Sequence, residues 1–132
     1  MLSPPMATTL PNTPEDWPHV FEQHLNSGDL NAVMTLYEPE ARLVTGSGET
    51  LVGREAIRRV IGGLIDVKTH FQSRVLRVET VGDIAELYTD FAGTMLDGSG
   101  KTVPLRDKAI EVFRRQPDGT WKLIMGDPNA RE

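Results

Sequence analysis

The 132-residue chain contains no cysteine, which excludes disulfides, thiolate chemistry and cysteine-ligated metals. It also lacks a long apolar run, since no stretch approaches the ~20 residues that cross a bilayer as a helix. The first residues have neither the basic start nor the continuous apolar stretch of a signal peptide. A cytoplasmic protein without membrane contact is expected. Basic residues are outnumbered, 14 Lys and Arg against 19 Asp and Glu, for a net charge of −5. That balance offers a phosphate backbone little to hold, so no nucleic-acid partner is expected. Arg58-Arg59 and Arg114-Arg115 are isolated pairs and read as solvated surface. The three histidines, His19, His24 and His70, lack the spacing of a metal site, so no metal is expected. Walker loops, dinucleotide fingerprints and nucleophile elbows are missing as well, and no cofactor is expected.

What is present suits one globular domain. The length supports a core without metal or disulfide help, and 39% of the residues are hydrophobic. Residues 1–12 carry three prolines among small or polar neighbours and read as a disordered lead, with the domain spanning 13–132. Thr13-Pro14-Glu15-Asp16 provides a capping hydroxyl, a first-turn proline and first-turn acids, and Asp16-Trp17-Pro18 offers a competing later start. A helix is predicted over about 14–26, with an irregular early turn allowed. Ser27-Gly28 closes it and Asp29 caps a second, whose stripe is Leu30, Val33, Met34 and Tyr37, with Pro39 as the stop. Ala41–Gly46 and Thr50–Gly53 read as a short hairpin around Gly46-Ser47-Gly48. Ile57, Val60, Ile61 and Leu64 mark a third helix at about 54–65, despite Gly62-Gly63, each costing ~1 kcal/mol of helix propensity relative to alanine.

Beyond Lys68 the apolar period changes from about 3.6 to 2. Strands are predicted over 70–80, Ile84–Met95, Lys101–Arg115 with an interruption at Pro104, and Thr120–Asp127. Gly82-Asp83, Asp97-Gly98-Ser99-Gly100 and Pro117-Asp118-Gly119 supply the turns. Three helices followed by long antiparallel strands define an α+β domain with the helices on one face of a strongly bent sheet.

This order resembles the nuclear transport factor 2-like superfamily, and within it the ketosteroid isomerase-like and SnoaL-like (polyketide cyclase-like) branch. The residues that carry the likeness are Asn26-Ser-Gly-Asp-Leu30, Leu36-Tyr-Glu-Pro-Glu-Ala41, Gly53-Arg-Glu-Ala-Ile57 and Arg114-Arg-Gln-Pro-Asp-Gly-Thr-Trp121. They are mostly turns, caps and core positions. The resemblance implies a cone-shaped, cystatin-like fold: three N-terminal helices on a strongly curved, mostly antiparallel sheet around a pocket for a small apolar molecule. It also implies a homodimer formed through the open sheet face. Where the steroid isomerases of the family carry an aspartate base, this chain has Thr45, which is no base at neutral pH. Their first helix carries a tyrosine that this one lacks. The resemblance therefore implies a pocket protein, either a cofactor-independent proton-transfer isomerase or cyclase acting on a carbonyl compound, or a ligand-binding or dimerisation domain without catalysis.

Candidate site residues follow from carboxylates set among apolar strand neighbours. Alternation puts Trp121, Leu123, Met125 and Asp127 on one face, so Asp127 either projects toward the pocket mouth as a catalytic candidate or, with Pro128, begins the C-terminal turn. Glu111 shares a face with Ala109 and Phe113. If that face is concave, a buried carboxyl there would have a raised pKa suited to proton transfer; if it is the outer face, Glu111 is an ordinary solvated residue. His24 lies on the apolar stripe of the first helix and is the third catalytic candidate. Trp17, Phe21, Thr45, Tyr88, Asp90, Phe91, Trp121 and Met125 are the expected ligand-binding residues.

Overall fold

A computed structural model of the chain describes residues 9–130, with the side chains of 129 and 130 left aside. A 3-10 turn at Pro14–Asp16 leads into α1, Trp17–Asn26, and Thr13 accepts a hydrogen bond from the Asp16 amide at 3.3 Å. The helices α2, Leu30–Met34, and α3, Arg54–Asp66, flank a short hairpin of β1, Tyr37–Val44, and β2, Thr50–Val52. Four long strands follow: β3, His70–Val81; β4, Ile84–Leu96; β5, Thr102–Arg115; and β6, Trp121–Ala130. They form one six-stranded sheet in the order β2-β1-β6-β5-β4-β3, antiparallel throughout except for the β1–β6 pair. The core lies between the helices and one face of this sheet, centred on Trp17, Leu36, Ile57, Phe113 and Leu123.

Several elements differ from the sequence expectation for identifiable reasons. The second helix stops at Met34, three residues before Tyr37, and Tyr37 opens β1 instead. The intervening Leu36 carbonyl accepts from the Trp17 indole at 3.0 Å and from the Leu123 amide at 2.9 Å, so tertiary bonds take the group a longer helix would use. Pro39 lies within β1, and β5 runs unbroken through Pro104, which is paired with Thr94. The expected lead at 1–12 falls partly on residues 1–8, outside the described residues, while Pro11 is buried and its carbonyl accepts from the Trp121 amide at 3.0 Å.

Two sheet irregularities set which side chains face the helices. On β6, Met125 pairs with Val112 and Leu123 with Phe113, which leaves Ile124 as an extra residue in a bulge. The bulge reverses the alternation, so Trp121 and Leu123 point to the core while Met125 and Asp127 fall on the opposite, open face. The exposure agrees: Leu123 is 0% exposed and Met125 49%. At the β3 edge, α1 satisfies backbone groups that no strand covers. Asn26 donates to the Phe71 carbonyl and accepts from its amide, both at 3.0 Å, and Glu22 accepts from the Ser73 amide. Covering an edge in this way blocks strand addition.

Candidate functional site

A cavity of about 100 Å³ opens between α1, α3 and the helix-covered face of the sheet. Its walls are mainly aromatic and aliphatic. Trp17 stacks on Phe21 with centroids 5.2 Å apart, Phe21 meets Phe71 at 6.3 Å, and Phe71 meets Phe91 edge-on at 5.1 Å. This chain of rings forms one side, and Val60, Ile61 and Leu64 on one stripe of α3 close the other. Besides the Trp17 indole N–H, which is bonded to the Leu36 carbonyl, four side chains with polar atoms interrupt the apolar lining: Tyr37, Ser73, Thr89 and Glu111.

Glu111 is the chemically distinctive group. It stands on β5 between Ala109 and Phe113 on the core-facing side, opposite Gly126 of β6. The residue is half-buried, as a member of a partly open cavity wall must be. Loss of hydration pushes its pKa from the ordinary 4.5 up to about 7. No ion pair or hydrogen bond to it forms among the described residues to offset that loss. Tyr37 is 2% exposed, and burial first, then the negative charge of Glu111, raises its pKa well above the usual phenol range. The phenol therefore stays protonated near neutrality, beside a carboxyl poised between its two states. A carboxyl that gains and loses a proton near pH 7, in an apolar cavity that a protonated phenol also lines, is equipped for general acid–base work.

The remaining candidates separate cleanly. Trp17, Phe21 and Phe91 line the cavity with Glu111. Trp121 is buried in the core at 6% exposure but lies outside the cavity lining. Asp127, expected at the pocket mouth, is paired with Ile110 on the open face because of the Ile124 bulge. Met125 shares that face for the same reason. Tyr88 and Asp90 also lie there. Lys108 sits 5.8 Å above the Tyr88 ring, while Arg106 and Arg74 approach Asp90 Oδ2 at 3.1 and 3.5 Å. His24 is at the far end of α1 with Nε2 3.0 Å from the Thr9 carbonyl, and Thr45 is in the β1–β2 loop with its hydroxyl 2.9 Å from that of Ser47. Neither reaches the cavity.

Tyr37 and Thr89 were not among the sequence candidates. Tyr37 fits the stripe of α2 by spacing, and only the early helix end brings it beside Glu111. Thr89 alternates with Leu87 and Phe91 on β4, but the sequence candidates Tyr88, Asp90 and Phe91 fall on both faces of that strand, so alternation alone did not single it out. Among the described residues no three His, Asp or Glu side chains gather as a metal site, and no helix is long and apolar enough to cross a membrane.

Helices on one face of a curved, open six-stranded sheet, with a cavity between the layers, define the nuclear transport factor 2-like, cystatin-like class. Solved structures of that class share the fold. One is a ketosteroid isomerase-like protein from Erwinia carotovora atroseptica, with 18% identity, 86% of this chain and 89% of that one covered, and a TM-score of 0.74. Another is a nuclear transport factor 2-like superfamily protein from Salmonella enterica, with 14% identity, 89% of each chain covered and a TM-score of 0.73. A third is described as a putative calcium/calmodulin-dependent protein kinase II association domain from Xanthomonas campestris, with 23% identity, 96% and 97% coverage and a TM-score of 0.70. No curated protein sequence matches the chain. The family model of the SnoaL-like domain matches residues 19–124, and the chain belongs to that family.

Proposed function

We propose that the protein is a cofactor-independent proton-transfer enzyme acting on a small, uncharged carbonyl compound. Glu111 is the acid–base group and the Tyr37 hydroxyl is the donor to the carbonyl oxygen. The observation that carries this reading is the placement of the Glu111 carboxyl, unpaired and desolvated, in an apolar cavity beside the Tyr37 phenol. A carbonyl held by a phenol O–H acidifies its α-carbon, and a carboxylate of pKa near 7 is well matched to move that proton.

Size narrows the substrate. An apolar cavity of about 150 Å³ holds benzene, whereas drug-sized ligands occupy roughly 300–1,000 Å³. The cavity of about 100 Å³ therefore favours compounds of a few carbons over steroids. The test is exchange of α-protons of butan-2-one for deuterium in D2O, followed by NMR. Wild-type protein is expected to accelerate the exchange and Glu111→Gln to lower it by ~10²-fold or more. Tyr37→Phe is expected to lower it by a comparable factor, as loss of an oxyanion donor does. Ketone binding with no acceleration by the wild type would leave a ligand-binding domain without catalysis.

The protein is also proposed to form a homodimer through the open sheet face. Ile84, Ile110 and Met125 are 38%, 40% and 49% exposed there. On the same face, Asp90 Oδ1 is buried without a hydrogen-bond partner.

A further inference from the structure

The polar groups on the cavity floor fall on one diagonal. Ser73 pairs with Phe91, Thr89 with both Val75 and Ala109, and Glu111 with Leu87. Ser73, Thr89 and Glu111 thus step across β3, β4 and β5 on the face beneath the helices, and all three line the cavity. Diagonal neighbours on adjacent strands stand roughly 7–8 Å apart, with the side-chain roots somewhat closer.

Thr89 is the informative member. It is 2% exposed, and its Oγ1 is buried without a hydrogen-bond partner in the chain. A buried hydroxyl without a partner is unfavourable, and valine would fill the same volume without that defect. Leu87 and Ala85, which alternate with Thr89 toward the start of the strand, are 0% exposed apolar residues. Thr89 is therefore the polar exception within an apolar row, and it is one of the residues that line the cavity together with Glu111. The described residues lining that cavity include no lysine, arginine or histidine, so nothing there would neutralise an anionic ligand.

We infer that Thr89 is a specificity-determining residue that hydrogen-bonds a second oxygen of the substrate, which makes the substrate class a short, uncharged hydroxyketone or diketone. The inference rests on the Glu111 reading for which oxygen is the reacting carbonyl. A threonine hydroxyl both donates and accepts, so a hydroxyl or a second carbonyl satisfies it. A site built to hydrogen-bond an oxygen discriminates against the analogue that lacks it, because the protein group is then left unpaired.

The experiment compares 3-hydroxybutan-2-one with butan-2-one, which differ by one oxygen. Affinities come from amide NMR titration and α-proton exchange is followed in parallel, for wild type, Thr89→Val and Thr89→Ser. Wild type is expected to bind the hydroxyketone about 10-fold more tightly. Thr89→Val should reduce that preference to within about 2-fold, and Thr89→Ser should retain most of it. A preference unchanged in Thr89→Val, no preference in the wild type, or no binding of either ketone overturns the inference. Binding selectivity that vanishes in Thr89→Val without any exchange upholds Thr89 and removes the catalytic role of Glu111. Exchange that depends on Glu111 but ignores the extra oxygen does the reverse. Amide spectra of each variant verify that the fold is intact.

Discussion

Glu111 and Gly126 face each other across β5 and β6, and the glycine leaves room for the carboxyl. A Cβ at position 126 would lie 3.5 Å from Glu111 Oε2 and 3.2 Å from a Leu123 methyl carbon. Gly126→Ala is therefore expected to fold with a small shift of the Leu123 side chain. The added methyl excludes water from the carboxyl and should raise its pKa further. An NMR titration of the Glu111 side-chain carboxyl should show a midpoint above the wild-type one, with weaker ketone binding.

The raised pKa of Glu111 also has a stability consequence. Between pH 4.5 and about 7 the folded protein keeps a proton on Glu111 that the unfolded chain releases. Stability therefore falls as pH rises through that window, by at most about 3 kcal/mol from this group. Glu111→Gln has no such proton to lose. Urea unfolding should show the variant gaining on wild type as pH increases, with the difference largest above pH 7 and smallest near pH 4.5.

Gly93 makes a different kind of prediction. It is the partner of Phe71 near the start of β3, and a Cβ there would lie 1.8 Å from the His70 carbonyl oxygen, a backbone atom. No side-chain rotation relieves that overlap. Gly93→Ala should destabilise by about 3 kcal/mol or more, at the upper end of overpacking effects. Denaturant midpoints with an unchanged slope would measure it.

For the proposed dimer, Ile110→Asp places a charge opposite Asp127 on the open face. Light scattering should report a dimer for wild type and a monomer for the variant, with far-UV circular dichroism unchanged. A monomeric wild type at tens of micromolar would remove the assembly proposal.

The elements were more legible in the sequence than the site. Apolar spacing locates the helix of Ile57, Val60 and Ile61, and turn residues bracket the long strands, because both signals are local. Glu111 was readable as a candidate because it shares a face with Ala109 and Phe113, while alternation by itself left open whether that face turns inward or to solvent. The site's other half depended on tertiary facts. Tyr37 joins it because the Leu36 carbonyl is captured by Trp17 and Leu123. Asp127 leaves it because one extra residue at Ile124 reverses the strand's alternation. Neither event has a local signature, since both arise from pairings between residues far apart in the chain.

The pH dependence of ketone α-proton exchange tests the central assignment most directly. If Glu111 is the base, kcat/KM should rise as its carboxyl ionises, through a midpoint near 7, and level off above it. Glu111→Gln should lose both the rate and the midpoint. A wild-type profile with its midpoint near 4.5, or a Glu111→Gln profile matching the wild type, would contradict Glu111 as the proton-transfer group.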